Sequence, residues 1–346
     1  MLITIFDFIG LLSVNRICKY CLSFDQSQTL LTGDIDYEKG NNNMNQKQRS
    51  AFITIVGVPN VGKSSILNRI LGHKIAIVSS KPQTTRTRIT GILTDGEDQL
   101  VFIDTPGLLK PRNELGEYMV KAINESVPNG DVAVLVVDSK DEVKKGELSL
   151  IEKLRKSDMP AILALNKIDT LKNKKEELMD AILRYSELYD FDAVVPISSE
   201  TGEGFDALMD ELKKHCVEGG HFFNDDAITD QPEKVIVSEI IREKILRLTD
   251  KEIPHGTAVL IERMKTRDNG ILDIEATVFC ERETHKRILI GKNGEMLKRI
   301  STLARQDIER FFDCKVYLQT WIKVKEDWRN RAQLVQNFGY NEKDFD

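Results

Sequence analysis

Cysteine is scarce in this chain. Five cysteines scattered through 346 residues are too few for a disulfide framework, which points to a reducing compartment. Long apolar runs are missing too: the opening stretch from Met1 to Ser13 is interrupted by Asp7 and falls well short of the roughly 20 residues a spanning helix needs. No other stretch comes closer, so integral membrane function is excluded. Positive charge is not in excess, with 49 Lys and Arg against 55 Asp and Glu and a net charge of -6. A purely electrostatic nucleic-acid binder would be basic overall, although a local basic patch remains compatible with this balance. The histidines, His73, His215, His221, His255 and His285, show no metal-ligand spacing, and none is assigned to a metal. What is there is ordinary for a soluble protein, 41% hydrophobic and 30% charged, at a length that sets an expectation of two domains.

Residues 1–50 differ from the rest and are expected to be an atypical N-terminal extension, disordered or an over-extended start, with Met44 as the alternative initiator. The first 43 residues hold three basic side chains against five acidic ones, the wrong balance for a mitochondrial transit peptide. Cys18 and Cys21 form a CxxC, but no second pair or nearby His completes a zinc site.

From Ala51 short apolar strands alternate with amphipathic helices. Strands are expected at 52–56, 100–103, 132–137, 162–165 and 194–197, and helices at 61–71, 113–126, 144–157, 171–188 and 204–217. Continuous β-branched runs suit a mostly parallel sheet covered on both faces, a three-layer α/β domain over 51–218. Residues 219–232 read as a linker. A second unit over 233–340 opens with a helix at 233–248 whose apolar positions share a face. Strands at 257–262 and 272–280 follow, with Asp268-Asn269-Gly270 between them as a hairpin turn. Then come a short helical segment ending at Ile290, a longer helix to about Phe311, a strand at 315–324 and a tail helix. This second unit is an α+β module.

Gly57-Val58-Pro59-Asn60-Val61-Gly62-Lys63-Ser64 fits G-x-x-x-x-G-K-[ST] between a strand and a helix. Its glycines let backbone N–H groups surround a β-phosphate, Lys63 reaches the β and γ oxygens, and the Ser64 hydroxyl can ligate Mg²⁺. Asp104-Thr105-Pro106-Gly107 follows the 100–103 strand. Asp104 is placed to hold the magnesium through water, and the Gly107 N–H to meet a γ-phosphate. Asn166-Lys167-Ile168-Asp169 closes another strand. The Asp169 carboxylate can accept from the paired N1 and N2 donors of guanine, which adenine lacks, so an ATP-filled site would leave it unsatisfied. Asn166 braces that loop, the Lys167 stem lies over the base, and Ser198-Ser199 can offer a backbone N–H to the guanine O6. Between the first two elements, Lys81-Pro82-Gln83-Thr84-Thr85-Arg86 holds two threonines able to complete the magnesium shell, of which Thr85 is preferred to Thr84. Four elements in order, each at a strand end, select guanine.

In the second unit, Gly291-Lys292-Asn293-Gly294 lies between two helices, where a side chain at either glycine would keep the backbone from a phosphate chain. Lys286, Arg287, Lys298 and Arg299 flank it, and over 280–331 there are 13 Lys and Arg against 8 Asp and Glu, a local basic stripe suited to RNA. Ile288 to Ile290, Leu297 and Ile300 are expected to floor the groove. Trp321 and Trp328 read as packing groups, and Cys280 and Cys314 as buried thiols.

The strings GVPNVGKSS (through Ser65), PQTTRTR, DTPGL and NKID, with the Ser-led fifth element, resemble the TRAFAC-class translation-factor-related GTPases. Joined to ILIGKNG at 288–294, DDAITD at 225–230, SEIIREK at 238–244 and WIKVK at 321–325, they resemble the Era-type family of bacterial ribosome-assembly GTPases. That resemblance covers about 51–340. It implies a type II KH domain binding single-stranded RNA near the 3′ end of 16S rRNA, and a role in maturation of the 30S subunit. It further implies a cytoplasmic monomer with a fraction loosely attached to the inner membrane face. The Asn60 position implies a K⁺ ligand beside the phosphates. Three departures stand out: Val58 where the family usually has Arg, Ser199 where it usually has Ala, and an acidic Glu97-Asp98 turn. Leu108 follows Gly107, so no side-chain amide there orients water, and intrinsic hydrolysis is expected to be slow. Two other functions compete. One is a GTPase of tRNA modification or membrane-linked cell-cycle signalling, for which no extra domain or lipid anchor is visible. The other is an RNA binder with a non-catalytic nucleotide site, against which Lys63, Ser64, Asp104 and Asp169 all stand intact.

Overall fold

The computed structural model describes residues 47–79, 81, 84–108, 110–126 and 128–340. The expectations for residues 1–43, Cys18 and Cys21, Met44, Pro82 and Gln83 lie outside the described residues.

The first unit runs β1 (Arg49–Val56), α1 (Lys63–Leu71), β2 (Ile89–Asp95), β3 (Asp98–Asp104), α2 (Glu114–Ser126), β4 (Val132–Asp138) and α3 (Lys145–Lys156). It continues with β5 (Ala161–Asn166), α4 (Lys174–Ser186), β6 (Ala193–Pro196), α5 (Phe205–Lys213) and a short β7 (Val217–Glu218). The sheet order is β2-β3-β1-β4-β5-β6, with β3, β1, β4, β5 and β6 parallel. Side chains alternate across it. Along β4, Val132, Val134 and Val136 join Ile66, Leu67 and Leu208 of α1 and α5 on one face. Ala133, Leu135 and Val137 join Leu150, Leu154, Ala181 and Tyr185 of α3 and α4 on the other. Both faces of the central strands are covered, which is why their sequences run apolar without a break.

Three local expectations differ from the structure. The edge strand β2 pairs antiparallel with β3 from Ile89↔Asp104 to Asp95↔Asp98, where no strand is expected. The helix expected over 204–217 stops at Lys213, because the Lys214, His215 and Cys216 amides tighten onto the Glu211, Leu212 and Lys213 carbonyls. That turn releases Val217 and Glu218 to pair antiparallel with Ser50 and Arg49. Arg49 therefore already belongs to the sheet, with its guanidinium on Asp98 at 2.7 Å.

The stretch 219–232 is bound along the sheet edge. Gln99 holds it through the Phe222 and Phe223 backbone, Phe222 meets the Phe52 ring edge-on at 4.9 Å, Ile228 accepts from the Ile92 amide, and Thr229 donates to the Thr90 carbonyl. Ile228 packs partly buried against the α1–α5 core, while Phe222 stays 64% exposed, so hydrogen bonds do more than apolar burial to fasten the segment.

The second unit is α6 (Glu233–Leu248), β8 (Ala258–Thr266), β9 (Leu272–Cys280), α7 (Glu283–Ile290), α8 (Glu295–Phe312), β10 (Val316–Val324) and α9 (Ala332–Asn337). Strand β9 is central, antiparallel to β8 and parallel to β10. The helices cover one face through Ile240, Ile241, Leu289, Ile300 and Ile308. Trp328 is fully buried and donates from its ring nitrogen to the Gly256 carbonyl at 3.0 Å. Trp321 corrects its expectation: it is 43% exposed, on an edge strand and on the side opposite Leu318, Ile322 and Val324, which pack on the helices.

The units are packed together. Leu115, Tyr118, Met119 and Ala122 of α2 share a core with Phe279, Trp328, Val335, Phe338 and Tyr340. Arg86 is buried and donates to the carbonyls of Thr257 (2.6 Å), His255 (2.9 Å) and Pro254 (3.3 Å) and to the Tyr340 hydroxyl (3.2 Å). Arg242 reaches the Thr84 carbonyl from the other side. Lys74 joins the fully buried Glu243 at 2.6 Å and Asp307 at 2.9 Å.

Candidate functional site

The loop between β1 and α1 bends on Gly62, whose φ of +102° only glycine adopts readily, and where a Cβ would fall 2.2 Å from the Asn166 side-chain nitrogen. Asn60 also takes a positive φ, +68°. Pro59, Asn60, Gly62, Lys63, Ser64 and Ser65 line one cavity with Ile77, Thr84, Thr85 and Gly107. Gly57 and Val61 are buried in the same loop, a Cβ on Gly57 falling 3.0 Å from the Val61 side chain, and Val58 is buried, with its methyl beside Gly146. Gly107 lies so close to the loop that a Cβ would stand 2.8 Å from the Pro59 backbone. Leu108 is half-buried against the α3–α4 core.

At the cavity floor the Ser64 hydroxyl donates to Asp104 Oδ2 at 2.7 Å and stands 2.8 Å from the Thr85 hydroxyl, which is itself 3.4 Å from the same carboxylate oxygen. Thr84 points elsewhere, to the carbonyls of Lys81 and Ser79. Asp104 Oδ1 is buried without a hydrogen-bond partner. Burial pushes the Asp104 carboxyl up to about 6, against the pull of Lys63 and the two hydroxyls. Burial likewise brings the Lys63 amine down to about 8, with Asp104 opposing. Lys63 Nζ donates to the Gly57 and Val58 carbonyls at 3.0 and 3.2 Å. An orphaned carboxylate oxygen beside two hydroxyls is a hard-oxygen donor set that fits Mg²⁺, and a buried ammonium beside it fits a polyphosphate.

The base-side residues meet where β5 and β6 end. Asn166 donates to the Val61 carbonyl at 2.7 Å and to the Ser199 hydroxyl at 3.2 Å, while its Oδ1 accepts from the Lys167 and Ser199 amides. Asn166 thus ties the phosphate loop, its own loop and the β6–α5 loop into one frame. Lys167 pairs with Asp138 at 2.7 Å. Ser198 donates to Asp169 Oδ1 at 2.5 Å, leaving that exposed carboxylate a second oxygen for a base.

In the second unit Gly291 ends α7 at φ +73°, and a Cβ there would meet Met296 at 2.7 Å. Lys292, Asn293 and Gly294 form a single tight turn before α8, with Asn293 at φ +53°. Arg287, Lys292, Asn293 and Lys298 are exposed around it, while Lys286, Ile290 and Gly294 are half-exposed. The expected groove floor is corrected in part. Leu289 and Ile300 belong to the buried core, so only the exposed Ile288 and half-buried Ile290 and Leu297 face outward.

Sequence reasoning missed three arginines: Arg86 and Arg242 at the seam between the units, and Arg69, whose contacts lie on the β6–α5 loop. Arg242 also pairs with Glu239 within its own helix at 2.6 Å, but the contacts that matter here lie more than 100 positions away in the chain, where no local pattern marks them.

Phosphate loop, guanine frame and Gly-x-x-Gly module define a P-loop GTPase joined to a KH domain. The family model described as a 50S ribosome-binding GTPase matches residues 52–167, and the KH domain model matches 252–329. Relatives include the GTPase Era of Clostridium kluyveri, 49% identical over 84% of this chain and 99% of its own length. The GTPase Era of Clostridioides difficile is 50% identical over 85% and 99%. Among solved structures, an Aquifex aeolicus Era variant bound to GDP and AlF4⁻ superposes with a TM-score of 0.80 at 36% identity, over 85% of this chain and 99% of that one. An Era complex with MgGDPNP and nucleotides 1506–1542 of 16S ribosomal RNA gives the same score, identity and coverage. The chain belongs to the Era family of GTPases.

Proposed function

We propose that this chain is a GTP-hydrolysing switch that binds 16S rRNA near its 3′ end and assists assembly of the 30S subunit. The observation that carries it is the presence, in one chain, of the Ser64–Thr85–Asp104 cluster and an exposed Gly-x-x-Gly turn ringed by Lys and Arg. The solved Era complex holding both MgGDPNP and a 16S segment supports it. Backbone amides from Asn60 to Ser65 would wrap the β-phosphate and Lys63 would turn from its two carbonyls to the β and γ oxygens. The Gly107 amide would meet the γ-phosphate. Ser64 and Thr85 would hold Mg²⁺ directly and Asp104 through water; when bound, the ion neutralises charge on the phosphate oxygens. Water attacks the γ-phosphorus in line and the bond to the β–γ bridging oxygen breaks, with Lys63 and the loop amides absorbing charge on the leaving side. Asp169, Asn166, Lys167, Ser198 and Ser199 would read the guanine. Asn60 would ligate K⁺ beside the phosphates. Lys286, Arg287, Ile290, Lys292, Asn293 and Lys298 would contact RNA around Gly291 and Gly294. The same reading carries a cytoplasmic monomer with a fraction at the inner membrane face. Among the described residues no helix is long and apolar enough to cross a membrane, so that contact would be peripheral.

The test is GTP hydrolysis by the full chain in potassium and in sodium buffer, with and without an RNA carrying the 16S 3′ end. Stimulation by the RNA that is lost in a Gly291→Asp, Gly294→Asp variant is expected, as is faster turnover in potassium. Hydrolysis indifferent to an RNA that does not bind would overturn the assignment of the second domain; equal rates in the two salts would remove K⁺ from the mechanism.

A further inference from the structure

We propose that Arg69 is a positioning residue for guanine recognition, holding the Ser199 amide where the base O6 arrives; this rests on the base-side reading above. Arg69 lies in the last turn of α1, where a basic side chain is ordinarily credited with stabilising the helix dipole. Its geometry goes further. The guanidinium crosses to the β6–α5 loop and donates from Nε to the Ser199 carbonyl at 2.9 Å and from Nη2 to the Glu200 carbonyl at 2.6 Å. Its carbon stands 5.7 Å from the centre of the Phe205 ring, which lies just beyond that loop. Gly202 makes room for it: at φ +91°, a Cβ there would fall 2.8 Å from Nη1.

The loop is therefore gripped from two sides. On the inner side the Ser199 N–H rests on Asn166 Oδ1 at 3.0 Å, from which it would turn to the base O6, and the Ser199 hydroxyl accepts from Asn166 Nδ2 at 3.2 Å. On the outer side Arg69 fixes the carbonyls of Ser199 and of the residue after it. Since α1 begins at Lys63 and Ser64, the rigid helix that carries the phosphate-binding residues at one end carries the brace of the base-reading loop at the other. Phosphate grip and base grip are set at a fixed spacing by one element. Asp169, which faces the N1 and N2 edge, stands on the β5 side and reaches this loop through the Ser198 hydroxyl, one residue before the carbonyls that Arg69 holds.

The test compares affinities of the full chain for GDP, 6-thio-GDP and IDP. The sulfur of 6-thio-GDP replaces O6 and weakens the Ser199 contact, whereas IDP keeps O6 and lacks the 2-amino group that Asp169 would hold. In Arg69→Ala the preference for GDP over 6-thio-GDP is expected to shrink roughly fivefold, the scale of one hydrogen bond, while the preference over IDP stays as in the parent. Arg69→Lys, with one donor arm in place of two, is expected to recover part of the lost discrimination. Arg69 is exposed, so both variants should fold, with Arg69→Ala melting slightly below the parent for the loss of its loop contacts. Unchanged preferences in Arg69→Ala, or an equal fall in both, would overturn the proposal, the second because it would mark general loosening of the pocket. A parent protein with no preference for GDP over IDP would overturn the base-side reading itself.

Discussion

Arg86 offers the sharpest energetic test of how the two units are joined. It follows Thr85 directly, so one residue of the segment meets Ser64 and Asp104 and the next is driven into the second domain. Its guanidinium is almost fully buried and satisfies three backbone carbonyls and one hydroxyl, while Nε has no partner. Arg86→Ala removes four hydrogen bonds from a charged donor and opens a void. Net values of about 1 kcal/mol per bond, reduced because water can enter and rehydrate the carbonyls, give a loss near 3 kcal/mol in docking, or about 150-fold in the docked-to-open ratio. Hydrogen–deuterium exchange reads this directly: amides of 115–123 and 332–340, which share the joint core, should exchange faster by that factor, while those of β4 and β5 stay protected. Arg86→Lys keeps the charge but cannot span the four partners, and should fall between. Exchange of both segments unchanged in Arg86→Ala would refute the claim that this side chain holds the domains together.

Two further outcomes follow from the phosphate end. The Asp104 carboxyl, raised to about 6 by burial, binds protons more tightly folded than unfolded, so its contribution to stability falls as pH rises from about 4 to 6. Asp104→Asn should accordingly stabilise the nucleotide-free protein at pH 7 by about 3 kcal/mol while destroying Mg²⁺-dependent GTP affinity; thermal melts with and without MgGDPNP check both, and a destabilised variant would contradict the burial argument. Thr85→Ala should lower the hydrolysis rate at saturating GTP by at least about tenfold, with Thr84→Ala close to the parent, since only Thr85 meets Ser64. Equal losses in single-turnover assays would return the choice between the two threonines to open.

The nucleotide machinery was legible in sequence because phosphate and guanine chemistry demand short contiguous strings at strand ends, and those strings survive without knowledge of the fold. The α–β alternation was legible for a related reason, as strands covered on both faces must be apolar throughout. Strand β2 was not, since Ile89–Asp95 mixes Thr, Gly and Asp with its aliphatics and draws its order from pairing with β3 rather than from its own pattern. Leu289 and Ile300 read as groove residues because spacing near Gly291 says which residues are close to the loop, not which side of a helix the sheet will cover. Trp321 differs in the opposite sense: an aromatic on a strand reads as core, but it lies on the side of the edge strand β10 away from the helices. Arg69, Arg86 and Arg242 act across long stretches of chain and carry no local signature at all.

The segment bound along the sheet edge sets how far the RNA-binding unit can travel. Fourteen free residues would behave as a loose coil with a span of about 20 Å, and a domain on such a tether would wander through a large volume. Here the chain is fastened as far as Thr229, and α6 starts at Glu233, so three residues, with a reach of about 10 Å, are left to swing. Were the contacts at Arg86 and Glu243 and the core shared by α2 and α9 to let go, the second unit would turn like a gate on its post: its direction would change while its distance hardly would. A ribosomal RNA strand held at Gly291 would therefore be swept along a short arc, and any re-closing would occur at high local concentration and without a search.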